Sequence, residues 1–331
     1  MKISCSTIEN KYLRIKTLNI GATLFEVFHK DKKVNLILNL GSKDNYKSKN
    51  FYVGSTCGRF AGRISKSIFI IGSKKYKLSN NEGKNLLHGG KKGFDRLIWK
   101  KTKHSKQKIV YKIQSPHLDQ GFPGNLLVKC IFELKKNNFF IKYEYVSDKL
   151  THVNLTNHSY WNLNLNKKKN IFNHDLKINS NQYLDVNNYL VPTSKIKSVN
   201  NSINDFRKYS NIGNKIKLNS IKKIKKISKT INQSGFDLTY VKNKKPGNFI
   251  ASLKNKESKI KIDLYTDLPG VQLYTSQSLK YKKKLFPYQG VCLETQFFPD
   301  SPNVNKFPST LIKPKKIYKY FTKFNIQKLN K

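Results

Sequence analysis

The sequence lacks several features that mark membrane, secreted and metal-binding proteins. It contains no run of eighteen apolar residues, which excludes a membrane-spanning helix. Residues 1–5 lack the apolar centre of a secretory signal peptide. The four cysteines form no C-x-x-C pair, which argues against a zinc site or a disulfide framework. These absences predict a cytoplasmic protein in which each cysteine is a small core residue. The cysteines are Cys5, Cys57, Cys130 and Cys292.

Acidic residues and arginines are also scarce. There are 19 Asp and Glu against 65 Lys and Arg, which gives a formal net charge of +46, and only five of the 65 are arginines. Such a charge is typical of proteins that bind nucleic acid or a membrane surface. Phosphate- and base-binding proteins, however, favour Arg, because its planar fork makes bidentate contacts. Lys is spread along the whole chain together with Asn and Ile, which also have A/T-rich codons. We therefore attribute the charge to genome composition and expect no specific nucleic-acid partner and no membrane partner.

The apolar residues that are present favour strands. Hydrophobic residues make up 37% and aromatic residues 12% of the chain, which disfavours intrinsic disorder. Residues 68–78 predict a hairpin that turns at Gly72 and Ser73. No strand alternates with a long helix, so the pattern favours an all-β antiparallel sandwich, and the lack of linkers and repeats favours a single domain over 1–331. Further strands are predicted at 108–113, 126–134, 138–146, 151–156, 260–265 and 270–275.

Residues 214–231 differ from this pattern, since Ile or Leu recurs there every three or four residues among lysines. A basic amphipathic helix on a membrane or nucleic acid is one interpretation. A surface excursion whose lysines are simply solvated is the other, and we favour it.

Five short segments concentrate residue types that are rare elsewhere in the chain. Three of the five arginines lie between positions 59 and 96, which points to guanidinium geometry that Lys does not supply. The segments are GRFAGR at 58–63, NLLHGG at 85–90 with GFD at 93–95, NHSYWNL at 157–163, GFD at 235–237 and LETQ at 293–296.

Two histidines and one glutamate in these segments are of the types that transfer protons. His88 lies beside two glycines, so it could equally be a structural residue of a turn. His158 could equally be a hydrogen-bonded histidine of the core. Glu294 follows an apolar run, so it should have a partner or a role, because a buried and unpaired carboxylate is costly. Asp237 and Arg63 are types that commonly hydrogen-bond sugar hydroxyls.

Taken together and in order, the segments resemble the aldose 1-epimerase (galactose mutarotase) family. The resemblance extends to residues 183–207, to LPGVQLYT at 268–275 and to FPST at 307–310. It implies a large antiparallel β-sandwich, the galactose mutarotase-like supersandwich. It also implies an isomerase of hexose metabolism that interconverts the α and β anomers of free aldohexoses such as glucose and galactose. The resemblance implies no cofactor and no metal, and we expect a monomer or homodimer.

The resemblance also implies a role for individual residues. Glu294 is the general base that takes the C1 hydroxyl proton, and His158 is the general acid that protonates the ring oxygen. The ring then opens, the C1–C2 bond rotates, and reclosure uses the same groups in reverse, while His88 hydrogen-bonds near the ring oxygen. Because a carboxylate near an imidazolium favours both charged forms, we expect Glu294 ionised and His158 protonated. The positions that hold sugar hydroxyls are Arg63, Asp237 and Gln272.

Three positions depart from the family pattern. Gly62 stands where Asn is common, so one hydrogen bond to the sugar is expected to be missing or replaced by water. Trp161 stands where Phe is usual, and we expect it in the core, the commoner fate of Trp, although stacking on a sugar is an alternative. Cys57 replaces an aliphatic residue, which we interpret as a packing change.

Three other functions remain open from the sequence. A hexose 6-phosphate mutarotase would require a basic cluster near the substrate-facing loops. A non-catalytic sugar-binding module on the same sandwich would have no need for the His/His/Glu set. Charge-driven nucleic-acid binding would show an affinity that falls steeply with salt.

Overall fold

The computed structural model describes residues 2–48, 51–224, 235–244 and 247–329. Within these residues the strands in chain order are β1 (Cys5–Glu9), β2 (Leu13–Leu18), β3 (Thr23–His29), β4 (Val34–Asn35), β5 (Thr56–Cys57), β6 (Arg63–Ile64), β7 (Ile68–Ile71), β8 (Lys74–Lys77), β9 (Leu86–Leu87), β10 (Lys100–Ser105), β11 (Lys108–Ser115), β12 (Leu126–Lys135), β13 (Asn138–Ser147), β14 (Thr151–His152), β15 (Thr156–Asn157), β16 (Tyr160–Trp161), β17 (His174–Ile178), β18 (Gln182–Val186), β19 (Pro192–Ser198), β20 (Ser210–Asn211), β21 (Asp237–Val241), β22 (Phe249–Asn255), β23 (Ile260–Thr266), β24 (Gly270–Tyr274), β25 (Val291–Gln296), β26 (Leu311–Ile312) and β27 (Tyr318–Lys328). The described part of the chain has one α-helix, α1 (Ile212–Ile224). Short 3₁₀ turns lie at Lys43–Lys47, Ser65–Ser67, Phe94–Arg96, Asp119–Gly121, Ile171–Asn173 and Ser301–Asn303.

Most strands belong to three sheets. The largest has nine strands in the order β10-β11-β12-β13-β27-β23-β22-β17-β20, the second has six in the order β16-β25-β24-β21-β18-β19, and the third has four, β1 to β4. The strand pairs in these sheets are antiparallel. The prediction of an all-β antiparallel fold is therefore confirmed.

The six-stranded and nine-stranded sheets pack against each other through a shared apolar core. Trp161 on β16 lies against Phe324 on β27, with ring centroids 4.8 Å apart. The hydroxyls of Thr295 on β25 and Thr322 on β27 are hydrogen-bonded across the same layer. Trp161 is 1% exposed and belongs to the core cluster, so it is a packing residue, as we expected.

Most of the strand predictions are confirmed, with one exception. The hairpin at 68–78 is formed by β7 and β8, with Gly72 and Ser73 at the turn. The prediction of one strand over 151–156 is wrong, because β14 pairs with β26 and β15 pairs with β5. Asn154 separates the two strands, and its side-chain amide donates to the backbone oxygens of Ala61 and Phe297. The chain changes partner at that residue.

The basic segment begins as a helix that packs on the sandwich. α1 includes residues 214–224, and Ile212 and Ile216 are buried in the core. Lys217 is exposed on the same helix. Residues 225–231 of the predicted segment lie outside the described residues. No helix in the described part of the chain is long and apolar enough to span a membrane.

The cysteines follow the core prediction with one exception. Cys57, Cys130 and Cys292 are buried, which confirms the prediction for these three. The prediction is wrong for Cys5, which is exposed on β1, because β1 is an edge strand and Cys5 lies on its outward face.

Candidate active site

Three neighbouring strands of the six-stranded sheet supply polar side chains to one cavity. β25 sends alternate side chains to opposite faces, as extended strands do. Leu293 belongs to the core, whereas Glu294 lines a cavity of about 340 Å³. Gln272 on β24 lies directly opposite Glu294, and Asp237 on β21 lies opposite Tyr274 of β24. The sheet register therefore brings together three residues that are far apart in sequence.

His158 reaches the same cavity from the end of β15. Its backbone N–H donates to the Ser55 oxygen and its oxygen accepts from the Gly54 N–H, both at 2.9 Å. The imidazole Nε2 lies 3.6 Å from Glu294 Oε1, and Nδ1 lies 3.6 Å from the Cys292 Sγ. Nε2 is therefore the ring nitrogen that faces Glu294, whereas Nδ1 is turned towards the Cys292 thiol.

His88 is held across the pair of strands β6 and β9. Its backbone N–H donates to the Gly62 oxygen at 3.1 Å, and the Gly62 N–H donates to His88 Nδ1 at 3.2 Å. Nε2 of His88 therefore carries the ring proton. The following turn requires glycine, because Gly89 has φ +93° and a Cβ there would lie 1.7 Å from the Gly58 oxygen. This close approach explains the L-H-G-G motif.

The three proton-transfer candidates form one buried cluster. One donor atom each from His88, His158 and Glu294 lies within 4.8 Å of the others, and each residue is at most 9% exposed. Two imidazoles and a carboxylate are also a donor set that zinc accepts. Among the described residues, this is the group that could hold a metal ion.

Burial dominates the electrostatics of the cluster. It raises the pKa of Glu294 well above the usual value; the charge of Asp237 raises this pKa further, and that of Arg63 opposes the shift. Burial lowers the pKa of His158 to about 4. It also lowers the pKa of His88 well below the usual value, and the charges of His158 and Arg63 add to this shift. Both shifts run against the expectation that Glu294 is ionised and His158 protonated, because burial disfavours the charged form of each group.

The sugar-binding candidates lie around this cluster in a fixed hydrogen-bond network. Arg63 forms a bidentate pair with Glu82, with Nε–Oε2 and Nη2–Oε1 distances of 2.6 and 2.7 Å. Gln272 Nε2 donates to Asp237 Oδ1 at 2.5 Å, and the Thr239 hydroxyl donates to Gln272 Oε1. All six site residues named from the sequence therefore line the same cavity.

Two of the three arginines between positions 59 and 96 use the guanidinium fork, as the sequence suggested. Arg63 does so with Glu82, at the cavity. Arg59 is buried and donates to Ser115, Pro116 and Pro123, so it links loops and does not line the cavity.

The comparison with known families agrees with this geometry. The family described as aldose 1-epimerase matches residues 4–325. The chain belongs to that family. A galactose mutarotase from Bos taurus is 33% identical over 327 residues, which cover 96% of this chain and 92% of the relative. An aldose 1-epimerase from Haemophilus influenzae is 32% identical over 306 residues, covering 90% and 87%.

Solved structures of aldose 1-epimerase relatives have the same fold. An aldose epimerase homologue from C. elegans superimposes with a TM-score of 0.89 at 25% identity and covers 99% of this chain and 100% of its own. A galactose 1-epimerase from Lactobacillus acidophilus gives a TM-score of 0.85 at 26% identity, with both chains fully covered. The galactose mutarotase-like sandwich expected from the resemblance is therefore confirmed.

This family member has cavity residues that the sequence motifs did not identify. Glu82 pairs with Arg63, Thr239 orients Gln272, and the Tyr52 ring lies 4.7 Å from the His88 ring. Gln296 lines the cavity two residues after Glu294. The period-two alternation of the L-E-T-Q strand was a signal for Gln296, whereas no local signal marks the other three.

The departure at Gly62 has a local cause. Gly62 has φ +76°, and a Cβ there would lie 2.8 Å from Cγ and 2.9 Å from Cβ of Pro299. Contacts of that length force a neighbour to move, and Pro299 is a rigid ring. Glycine is therefore the residue that fits this backbone, and the side chain of Asn has no room at position 62.

We expect Gly62→Asn to destabilise the protein by about 1–3 kcal/mol, because the added side chain overpacks against Pro299. It should not lower KM for the sugar. Gly72→Asn is the matched control, since Gly72 has φ +60° but a Cβ added there would meet no atom within 4 Å. Urea unfolding of both variants measures the difference. A Gly62→Asn protein as stable as Gly72→Asn, with a lower KM than wild type, would contradict this account.

Proposed function

We propose that the protein is an aldose 1-epimerase that interconverts the α and β anomers of free aldohexoses, with Glu294 as general base and His158 as general acid. The observation that supports it most is the pair itself. His158 Nε2 and Glu294 Oε1 lie 3.6 Å apart at one cavity, and Glu294 Oε2 has no hydrogen-bond partner among the described residues. A buried carboxylate oxygen without a partner is costly, so it is expected to have one in the working complex.

The two groups can open and close the ring by moving one proton each. Glu294 takes the proton of the C1 hydroxyl while His158 gives a proton to the ring oxygen, and the C1–ring oxygen bond breaks. The products are an open-chain aldehyde, a neutral carboxyl and a neutral imidazole. After rotation about C1–C2, His158 takes back the proton of the C5 hydroxyl and Glu294 returns its proton to the aldehyde oxygen, which is the reverse of opening.

Burial favours the protonation state that accompanies the open-chain aldehyde. The pKa of Glu294 is raised and that of His158 is lowered, so the neutral pair is more stable than the charged pair in this cavity. The neutral pair and the charged pair hold the same number of protons. Desolvation therefore lowers the free energy of the state formed on ring opening relative to the state that precedes it.

The remaining polar groups are placed to hold the sugar. We assign Arg63, Asp237 and Gln272 to its hydroxyls, since the hydrogen bond that Gln272 donates to Asp237 fixes the orientation of both side chains before substrate binds. The Nε2–H of His88 is assigned to a hydrogen bond near the ring oxygen. No cofactor and no metal enters this scheme.

The alternatives have less support at this cavity. Among the described residues that line it there is no lysine, and Arg63 is already paired with Glu82. A phosphate dianion would therefore find no unpaired cation in this lining, which disfavours a hexose 6-phosphate substrate. A purely binding module has no need for the His158–Glu294 pair.

We also propose that residues 1–331 act as one domain in the cytoplasm. The family match over residues 4–325 supports the single domain, and the free cysteines support the location.

Polarimetry tests the proposed function. Freshly dissolved α-glucose and α-galactose should reach equilibrium rotation at a rate that rises in proportion to protein concentration. Interconversion of the anomers of glucose 6-phosphate, measured in parallel, should have a lower kcat/KM than that of the free sugars. Decay of both free sugars at the buffer rate would sink the proposal, and a higher kcat/KM for the phosphorylated sugar would replace it with the 6-phosphate activity.

The shifted pKa values predict an unusual pH dependence. The active pair holds one proton, so kcat/KM should fall in acid only when a second proton binds and in alkali only when the single proton is lost. Because the pKa of His158 is lowered to about 4, activity should persist well below pH 6.5 and decline towards pH 4. The alkaline limb should lie well above 4.5, because the pKa of Glu294 is raised. Anomer-exchange rates between pH 3.5 and 9 measure this, and an acid limb centred at 6.5 would contradict it.

A further inference from the structure

Two hydrogen-bond acceptors that belong to cavity residues have no partner among the described residues. One is Glu294 Oε2, and the other is Oε1 of Gln296. Gln296 is 1% exposed, so water does not readily satisfy its amide oxygen. Leaving such an acceptor unpaired costs the free energy of its lost hydration. The carboxylate has a role in the proposed reaction, whereas nothing so far gives the amide one.

The position of Gln296 along β25 indicates what it faces. Cys292, Glu294 and Gln296 follow one another on the same face of the strand, about 6.6 Å apart. His158 contacts Cys292 through Nδ1 and approaches Glu294 through Nε2, so it lies at the Cys292 end of this row. Gln296 lies beyond Glu294 at the other end. The residue opposite it on β24, Gly270, offers no side chain to satisfy the amide.

The covalent structure of a pyranose fits the order of Cys292, Glu294 and Gln296 along β25. C1 is bonded to the ring oxygen on one side and to C2 on the other. With the C1 hydroxyl at Glu294 and the ring oxygen towards His158, C2 lies on the side of Gln296. We propose that Gln296 accepts a hydrogen bond from the C2 hydroxyl and makes the enzyme selective for aldoses that carry one. This inference rests on the proposed function, because it uses the orientation of the sugar that the acid and base require.

Removing the hydroxyl from the sugar and the amide from the protein tests the contact from both sides. Gln296→Met keeps an unbranched side chain of similar length without the amide. Gln289→Met is the matched control, since Gln289 is also buried but its amide is bonded to Lys167 and Phe286. The substrates are glucose and 2-deoxyglucose, and each catalysed rate is divided by the spontaneous rate of the same sugar.

We expect the wild type and Gln289→Met to favour glucose over 2-deoxyglucose by about tenfold or more in kcat/KM, as for loss of a hydrogen bond that leaves a buried acceptor unpaired. In Gln296→Met the preference should fall to near one, chiefly through a lower rate with glucose. Should circular dichroism show that Gln296→Met is unfolded, Gln296→Asn replaces it, and its preference should also fall because the shorter amide does not reach the hydroxyl.

The outcomes separate this inference from the proposed function. Wild-type protein that accelerates neither sugar would overturn both. Wild-type protein that accelerates glucose, with a glucose preference that survives in Gln296→Met, would overturn the role of Gln296 alone. A loss of preference in Gln289→Met equal to that in Gln296→Met would also overturn it, because the effect would then be a general consequence of losing a buried amide.

Discussion

Glu294→Gln is expected to lower kcat for anomer interconversion by about 10²–10⁴-fold, the usual contribution of a positioned acid or base. The amide has the size of the carboxyl but does not take the C1 hydroxyl proton. The fold should be retained, because the substitution replaces a group whose charged form is disfavoured by burial. Polarimetry with purified protein gives the rate, and near-wild-type kcat would remove Glu294 from the base role.

The same substitution has a signature in stability. The folded-state pKa of Glu294 is raised, so the wild type loses stability as pH rises from the unfolded value of about 4.5 through the folded value. Gln has no proton to lose, so Glu294→Gln should gain stability relative to wild type as pH increases through that window. Glu133→Gln is the control, since Glu133 pairs with Lys135 and Lys142 on the nine-stranded sheet and does not line the cavity. It should leave kcat unchanged.

His158→Asn is expected to lower kcat on the same scale, about 10²–10⁴-fold. Protonation of the ring oxygen is then left to water or to His88. Because Glu294 and His158 act in one step, the double variant should lose little more than the more damaging single variant. Rates of the two single variants and the double variant, measured at one pH, test this. Losses that multiply would mean that the two residues act independently.

His152→Asn is the matched control for this prediction. Burial lowers the pKa of His152 to about 4, as it does for His158, but His152 is bonded to Thr310 and does not line the cavity. Its replacement should lower stability and leave kcat within a few-fold of wild type. An equal loss of kcat in His152→Asn would show that any buried histidine has this effect, and would contradict the assignment of the acid to His158.

The extent to which the sequence predicted the fold depends on how local each signal is. The hairpin at 68–78 and the long strands β12 and β13 were predictable, because alternation and turn residues lie within the segment itself. The break at Asn154 was not, since β14 and β15 are two residues long and their partners, β26 and β5, are distant in sequence. Exposure of Cys5 depends likewise on where β1 lies in its sheet.

The residues that line the cavity were predictable from the sequence, whereas their electrostatics were not. Residue types alone suggested His88, His158 and Glu294 for proton transfer and Arg63 and Asp237 for sugar binding. The family resemblance added Gln272. The protonation states were predicted wrongly, because attraction between charges can be inferred from residue types, whereas desolvation depends on how completely the surrounding strands enclose the pair. Glu82 was missed for a related reason, as its link to Arg63 is formed by a loop and leaves no periodic signal.

The most direct measurement is a crystal structure of Glu294→Gln soaked with glucose, since the slow variant holds the sugar without much altering the cavity. We predict the C1 hydroxyl oxygen within about 2.6–3.2 Å of the residue 294 side chain and the ring oxygen within the same distance of His158 Nε2. Both contacts in one complex would support the acid–base assignment. A sugar bound in this cavity with C1 directed away from residue 294, or with its ring oxygen far from His158, would contradict it.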